Sequence, residues 1–406
     1  MRCVFCGRTY SYLDKRVLCS CGGLLEIVLV EKPDVSWSVF RSRPFRLWRY
    51  RELIPIPSDA EIVSLGEGGT PLIRISRARD IAGIDRLYTK FEGSNPTGSF
   101  KDRGMSVAIT IARYLGYRAA VCASTGNTAA SMAAYARRAG IEPIVILPEG
   151  GVAKGKLFQV ALHGARIVRV RGGFDNALQL VLKLVEMGIA YSLNSINPWR
   201  IEGQKTVAYE IVDEIGVPDW IALPVGNAGN ITAVWKGLQE LRDLGLIDRL
   251  PRLIGVQASG AAPLVKAYRL GLDKPVEVPN PETVATAIRI GRPVHGVRAL
   301  KAVRQSGGVF IEVSDRDIVE AQKALARYEG IGVEPASAAT IAGIKRLREE
   351  KIIDRDELVV AILTGHALKD PETPAASISL PNSIDFEEAL KTVVSIVRDL
   401  DQGETT

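Results

Sequence analysis

From Leu87 onward, short apolar runs rich in β-branched residues alternate with longer stretches of helical period, and this alternation constrains the fold more than any other feature. Continuous apolar runs suit strands buried on both faces, and amphipathic stretches between them supply the crossovers that parallel strands require. Residues 87–92, 119–122, 143–147 and 166–170 read as strands, with helices predicted over 129–139, 154–163 and 174–187. A second series follows: helix 199–215, strand 220–225, helix 230–243, strand 253–257 and strand 358–363. Two doubly wound, mainly parallel sheets with a cleft between them are the α/β architecture this order predicts.

A chain of 406 residues, 47% hydrophobic and 24% charged, has room for two ordinary domains and a small appendage. No apolar run reaches the roughly 20 residues needed to span a bilayer, and residues 1–6 lack a signal-type apolar core. The expectation is a soluble, cytoplasmic protein without a membrane partner. A net charge of +6, with both signs interspersed, favours small anionic ligands over nucleic acid. Residues 31–60, with Pro33, Pro44, Pro55 and Pro57, have the composition of an extended linker. The tail, residues 391–406, ends in polar residues, and its last few are expected to fray.

Four of the five cysteines fall within the first 21 residues, as Cys3-x-x-Cys6 and Cys19-x-Cys21, each pair beside glycine. Four thiolates so spaced resemble a zinc ribbon closing a tetrahedral site, although the second pair is one residue short of the usual spacing. Disulfides or metal-free thiols are the alternatives, and a cytoplasmic setting argues against the former. Cys122, at the end of an apolar strand, reads as a buried core thiol.

The chemistry is concentrated in Asn95-Pro-Thr-Gly-Ser-Phe-Lys-Asp-Arg-Gly104, between a predicted strand and a predicted helix. Pro96 and Gly98 mark a turn, Ser99 is placed to cap a helix starting near Phe100, and Lys101 then lies in its first turn. An ammonium there opposes the helix dipole, which suits a lysine needed as a neutral amine for Schiff-base chemistry. A solvated Lys-Asp-Arg surface run is the competing reading.

Ligands of open parallel sheets bind beyond the carboxyl ends of strands, so the loops after strands are the places to search. Ser124-Thr125-Gly126-Asn127-Thr128 offers three hydroxyls and an amide at a helix start, more than capping alone requires. Gly226-Asn227-Ala228-Gly229-Asn230 follows an apolar strand and opens a helix, a geometry that cradles phosphate, though a lone Gly-x-x-Gly is also an ordinary turn. Asn194-Ser195-Ile196-Asn197-Pro198-Trp199-Arg200 sets a cation near another helix start, and Thr364-Gly365-His366-Ala367-Leu368-Lys369-Asp370 follows the last strand.

The Asn95–Gly104 stretch resembles the pyridoxal-phosphate lysine motif of the threonine synthase family. That family lies in the fold-type II group, which also holds serine and threonine dehydratases and cysteine synthases. The resemblance spans about residues 64–370 and implies a fold like that of the tryptophan synthase β chain. In that arrangement residues 61–98 and 197–390 form a large domain, 99–196 a small inserted one, 1–30 a zinc-ribbon-like module, 31–60 a linker and 391–406 a tail. It implies pyridoxal 5′-phosphate carried on Lys101, with Asn127 at its phenolic oxygen, Thr364 at its pyridine nitrogen and Gly226, Asn227, Ala228, Gly229 and Asn230 around its phosphate. Ser124, Thr125 and Thr128 would then meet the substrate carboxylate, and Asn194, Ser195 and Arg200 a substrate phosphate. Residues 285–291 would cover one ring face, and Phe100 would pack on the cofactor. Ala367 replaces a glycine of the family's pattern and puts the turn there in doubt.

The implied activity is that of a lyase converting O-phosphohomoserine and water to threonine and phosphate. A cysteate synthase or phosphoserine-dependent sulfhydrylase would use the same lysine and phosphate pocket with a shorter substrate. A dehydratase would not need the leaving-group cation Arg200. Analogy within the group implies a homodimer.

Overall fold

The structure, a computed structural model, describes residues 1–149, 157–371 and 382–401. Among these residues β1 (Arg2–Cys3) and β2 (Leu25–Glu26) form an antiparallel ribbon near the four cysteines. β3 (Leu72–Arg74) and β4 (Arg86–Phe91) then begin a six-stranded sheet, which the chain leaves for a four-stranded one. That smaller sheet holds β5 (Ala119–Ala123), β6 (Glu142–Pro148), β7 (Arg166–Val170) and β8 (Tyr191–Ser192), all parallel, in the order β7-β6-β5-β8. The chain returns with β9 (Trp220–Pro224), β10 (Arg252–Ala258), β11 (Val309–Val313) and β12 (Leu358–Leu363), giving β11-β10-β9-β12-β4-β3 with only β3 antiparallel.

Every residue of β9 and β12 is buried, as near-continuous apolar runs at the centre of a parallel sheet require. Their side chains alternate between two cores. Val359, Ala361 and Leu363 join Ala222 under helix Pro335–Glu349, and Val360 and Ile362 join Ile221 and Leu223 under helices Thr206–Ile215 and Gly229–Asp243. Among the described residues no helix is long and apolar enough to cross a membrane.

The predicted strands agree with those observed to within a residue or two, and 166–170 and 358–363 coincide. Three expectations are corrected. Segment 31–60 is not extended: it holds helix Trp37–Arg41 and a 3-10 stretch, Leu47–Leu53, and buries Phe40, Tyr50 and Leu53 in the second of those cores. Its prolines fall before, between or after these turns, while Phe40 meets Tyr50 and Tyr50 meets Tyr209 edge to face at 5.3 and 5.4 Å. The tail is a helix, Phe386–Asp401, because Phe386, Leu390, Val393 and Val397 recur at helical spacing. It belongs to a second unit that begins at Pro371, and residues 402–406 of the expected tail lie outside the described residues. Helix Phe158–Leu162 stands where 154–163 was expected, and residues 154–156 lie outside the described residues.

The third correction concerns 199–215, which divides into Pro198–Gln204 and Thr206–Ile215. The first of these short helices crosses the lysine helix, Lys101–Tyr114, with glycine on both sides of the contact. A Cβ on Gly203 would lie 1.9 Å from the Arg103 carbonyl oxygen, and one on Gly104 would lie 2.8 Å from that of Arg200. Only hydrogen fits in such a crossing. It fixes Lys101 and Arg200, at the starts of the two helices, in one region of the molecule. Gly203→Ala is expected to destabilise by at least the ~1–3 kcal/mol typical of overpacking, read as a fall in the chemical-denaturation midpoint. Gly173→Ala, where open space surrounds the position and the backbone is extended, is the comparison for steric cost.

Candidate active site

Because β4, β9 and β12 run parallel, the loops after them emerge at one edge of the large sheet. The lysine loop is fastened to the loop after β12: Phe100 N–H donates to the Thr364 carbonyl (3.0 Å) and His366 N–H to that of Gly98 (3.0 Å). Ser99 does not cap the lysine helix; its Oγ is buried without a partner. Asp102 orders the turn instead, accepting from Thr97 N–H (2.7 Å), Thr97 Oγ1 (2.6 Å) and Ser131 Oγ (2.5 Å). Burial pushes its carboxyl up to about 6 against the pull of those donors. Lys-Asp-Arg is therefore no solvated run, since Asp102 and Arg103 are fully buried.

Lys101 is half-buried, its Nζ 4.0 Å from the centroid of the Phe100 ring and without a hydrogen-bond partner among the described residues. Burial, and then the positive charge of Arg200, lower its amine to about 7, with Glu334 opposing. A large fraction of the side chain is thus neutral at physiological pH, as a nucleophilic amine requires.

Asn127 and Thr364 converge on a residue that the sequence reading missed. Glu334 accepts from Asn127 Nδ2 (3.0 Å) and from Thr364 Oγ1 (3.2 Å), and Thr364 Oγ1 also meets Ser337 Oγ (3.1 Å). Its carboxyl is raised by burial. A Glu-Pro pair opening a helix is the only local signal for it; its partners lie 207 and 30 residues away. His366 Nδ1 accepts from Leu368 N–H (3.1 Å), a structural use of a turn histidine. Ala367 starts a 3-10 turn with no left-handed backbone angle, so the glycine of the family's pattern is not needed there.

The loop after β5 places Ser124, Thr125, Asn127 and Thr128 half-buried around the start of helix Asn127–Arg138. Asn194 fastens the root of that loop, its Oδ1 accepting from Ala123 N–H and its Nδ2 donating to the Ala123 carbonyl, both at 3.0 Å. One amide hydrogen remains for any ligand. Arg200 is buried, with Nη1 donating to the Leu193 carbonyl (3.0 Å) and Nε unpartnered. Among the described residues it has no carboxylate partner, and burial lowers it to about 10.

In the loop after β9, Ala228 adopts a left-handed backbone at φ 64° before helix Gly229–Asp243, and both amide atoms of buried Asn230 lack partners. First-turn N–H groups of a helix have no acceptor within it, so this loop offers donors and an orphan amide to an anion. Gly226 lies beneath residues 285–291, its Cβ position 3.0 Å from Ile288 Cα. His295, also unforeseen, spans two loops: its N–H donates to the Asn227 carbonyl (3.1 Å) and its Nε2 to that of Ser195 (2.8 Å). Burial holds the ring neutral by lowering it to about 3.

At the other end of the chain the Sγ atoms of Cys3, Cys6, Cys19 and Cys21 lie within 4.8 Å of one another, with three pairs at 3.5–3.6 Å. A tetrahedron of ~2.3 Å zinc–thiolate bonds has edges of about 3.8 Å. The donor set fits zinc. Cys122 is a buried thiol raised to about 12.

Residues 63–365 match the family model described as pyridoxal-phosphate dependent enzyme. The threonine synthase of Methanocaldococcus jannaschii is 52% identical over 391 residues, covering 95% of this chain and 96% of that one. This chain belongs to the threonine synthase family of pyridoxal-phosphate-dependent enzymes. The threonine synthase of Methanosarcina acetivorans is 49% identical over 389 residues (95% and 96%), and that of Mycobacterium bovis 52% over 326 (80% and 88%). Two solved structures share the fold: maize serine racemase, TM-score 0.63 at 22% identity over 82% of this chain and 93% of that one, and a threonine deaminase isoform from Solanum lycopersicum, TM-score 0.62 at 22% identity over 91% and 98%. The threonine synthase family and its cofactor fit what the site offers, namely a near-neutral lysine and orphaned anion donors.

Only the neutral amine of Lys101 can attack an aldehyde, and the neutral form dominates above its pKa. The rate at which coenzyme-free protein regains visible absorbance on adding pyridoxal phosphate is expected to rise with pH to half its plateau near 7, not near the ~10.4 of a free lysine. A midpoint above 9 in stopped-flow absorbance would show that burial does not depress the amine.

Proposed function

We propose that this chain converts O-phosphohomoserine and water to threonine and inorganic phosphate. The observation that carries the reading is Arg200: a buried guanidinium without a carboxylate partner among the described residues, close enough to Lys101 to depress it. A buried charge is tolerated when something pairs with it, and a departing phosphate is that partner.

Pyridoxal phosphate, when bound, supplies the electron sink for carbanion chemistry at the substrate's Cα. Lys101, with its amine near neutrality, would hold it and then take and return protons at Cα and Cβ. Asn127 would meet the phenolic oxygen, Thr364 the pyridine nitrogen, and Gly226, Asn227, Ala228, Gly229 and Asn230 the cofactor's phosphate. Turned from Glu334 to the ring, the Thr364 hydroxyl would donate to the pyridine nitrogen, leave it unprotonated and so restrain charge build-up. Ser124, Thr125 and Thr128 would orient the substrate carboxylate. Arg200 and Ser195, with the remaining amide hydrogen of Asn194, would grip the phosphate as it leaves Cγ.

In the same reading Cys3, Cys6, Cys19 and Cys21 hold one zinc ion, supported by the spacing of their sulfurs. Residues 99–196 form the small domain and 61–98 with 197–370 the large one, which ends where the second unit begins. The assembly is a cytoplasmic homodimer by analogy with the fold-type II group.

Phosphate release from O-phosphohomoserine and O-phosphoserine, assayed side by side, tests the substrate, with turnover expected on the first. Arg200→Ala should lower kcat/KM at least about thirtyfold, the lower end of the ~2–5 kcal/mol of a lost buried charge partner, while coenzyme absorbance persists. Wild-type rates in that variant would remove Arg200 from the site.

A further inference from the structure

The cysteine module packs on the loop assigned above to the substrate's phosphate. Ile196 lies in one buried cluster with Val17 and Leu24, and Trp199 in another with Cys3, Cys19, Leu25 and Ile27. Tyr12 meets the Trp199 ring edge to face at 6.2 Å. Val17 and Leu24 flank the second cysteine pair, and Leu25 follows it in β2, so the surface that supports the loop takes its shape from the turns carrying the thiols.

A second set of contacts reaches the loop from its other side. Glu26, the last residue of β2, accepts from Arg298 Nη2 (3.1 Å). Arg298 is one turn after His295, the residue that precedes helix Gly296–Gln305. His295 in turn holds the Ser195 carbonyl and the Asn227 carbonyl, and its ring lies 3.7 Å from where a Gly229 Cβ would stand. The module thus touches loop 194–200 directly through Ile196 and Trp199, and indirectly at Ser195.

We propose that the four-cysteine module is a positioning device, such that the metal it binds sets how tightly loop 194–200 holds a phosphate group. The inference rests on the reading of that loop given above. Two strands of two residues each are too short to keep a shape in water, and in such modules metal-binding energy is folding energy. Without metal, the contacts of Val17, Leu24 and Glu26 lose their frame. The loop keeps its other anchors: Asn194 on Ala123, Asn197 Nδ2 on the Ser192 carbonyl (2.8 Å) and Arg200 on Leu193. The coenzyme side of the site therefore survives, and the cost falls on ordering the loop when phosphate arrives. That cost is common to bound substrate and transition state, so it enters KM more than kcat. Linkage makes the coupling reciprocal: phosphate must tighten the metal by the factor by which metal tightens phosphate.

The test uses full-length holoenzyme, zinc-loaded or stripped by a chelator under reducing conditions. Stripping is expected to leave coenzyme absorbance intact, raise KM for O-phosphohomoserine about tenfold, within the ~5–150-fold range of such couplings, and change kcat less than about twofold. Zinc restores the starting values. Inorganic phosphate should tighten zinc in a chelator competition by a matching factor. Glu26→Gln, which spares the thiols, should keep one zinc per chain and reproduce part of the rise in KM. The proposal is overturned by an unchanged KM in the stripped enzyme, by joint loss of absorbance, kcat and KM, or by a chain that binds no zinc. If zinc-loaded holoenzyme releases no phosphate from O-phosphohomoserine, the reaction reading fails, and the zinc–phosphate competition still decides the coupling.

Discussion

The crossing of the lysine helix with helix Pro198–Gln204 is the contact on which the site depends. Gly104 and Gly203 bring two backbones to a separation that no side chain permits, and the helix starts then place Lys101 and Arg200 within reach of each other's charge. Two cations sharing a pocket of low dielectric would both prefer to be neutral, but a guanidinium cannot oblige in the physiological range. The lysine gives way. Its depressed pKa is thus a consequence first of its own burial and then of the main-chain packing that brings Arg200 near.

Arg103 shows what the protein does with a buried guanidinium that has a structural role. Its Nε donates to Glu92 (2.7 Å) and its Nη1 to Glu210 (2.6 Å), and Glu210 also meets Lys90 at 3.1 Å. Pairing raises Arg103 and lowers Glu210 to about 2. Removing one member of such a set strands a charge, at ~3–5 kcal/mol, so the set fastens β4 to the lysine helix and to helix Thr206–Ile215. Arg200, also buried, lies one helix away with no carboxylate partner among the described residues. The difference between these two arginines, both buried and on crossing helices, separates scaffold from ligand site.

That contrast was only half legible in the sequence. Strands such as Leu358–Leu363 were readable because burial on both faces leaves an unbroken apolar run, and Lys101 because turn residues and a helix start bracket it. The helix Phe386–Asp401 was readable from its apolar spacing, but its polar end drew the reading elsewhere. Glu334, His295 and the double bond of Asn194 to Ala123 carry no local signature, since each is defined by partners from distant segments. The turns within 31–60 were hidden for the opposite reason: prolines there suggested extension, while Phe40 and Tyr50 are held by Tyr209, about 160 residues on. A family resemblance named the loops, but not the charges between them.

Those charges give the proposed reaction an order. In the empty pocket Arg200 repels a proton from Lys101 and Glu334 attracts one, while Glu334 is itself raised by burial and so holds its charge weakly. A phosphate dianion seated on Arg200 cancels the repulsion, and the amine becomes more basic while the substrate's leaving group is in place. When the phosphate departs, the repulsion returns and the amine releases its proton more readily. On the proposed reaction, the group that would take protons before the phosphate leaves and give one back when water adds would thereby be tuned in the right sense at each stage by the leaving group. Asn127 and Thr364, both tied to Glu334, hold the counter-charge still meanwhile.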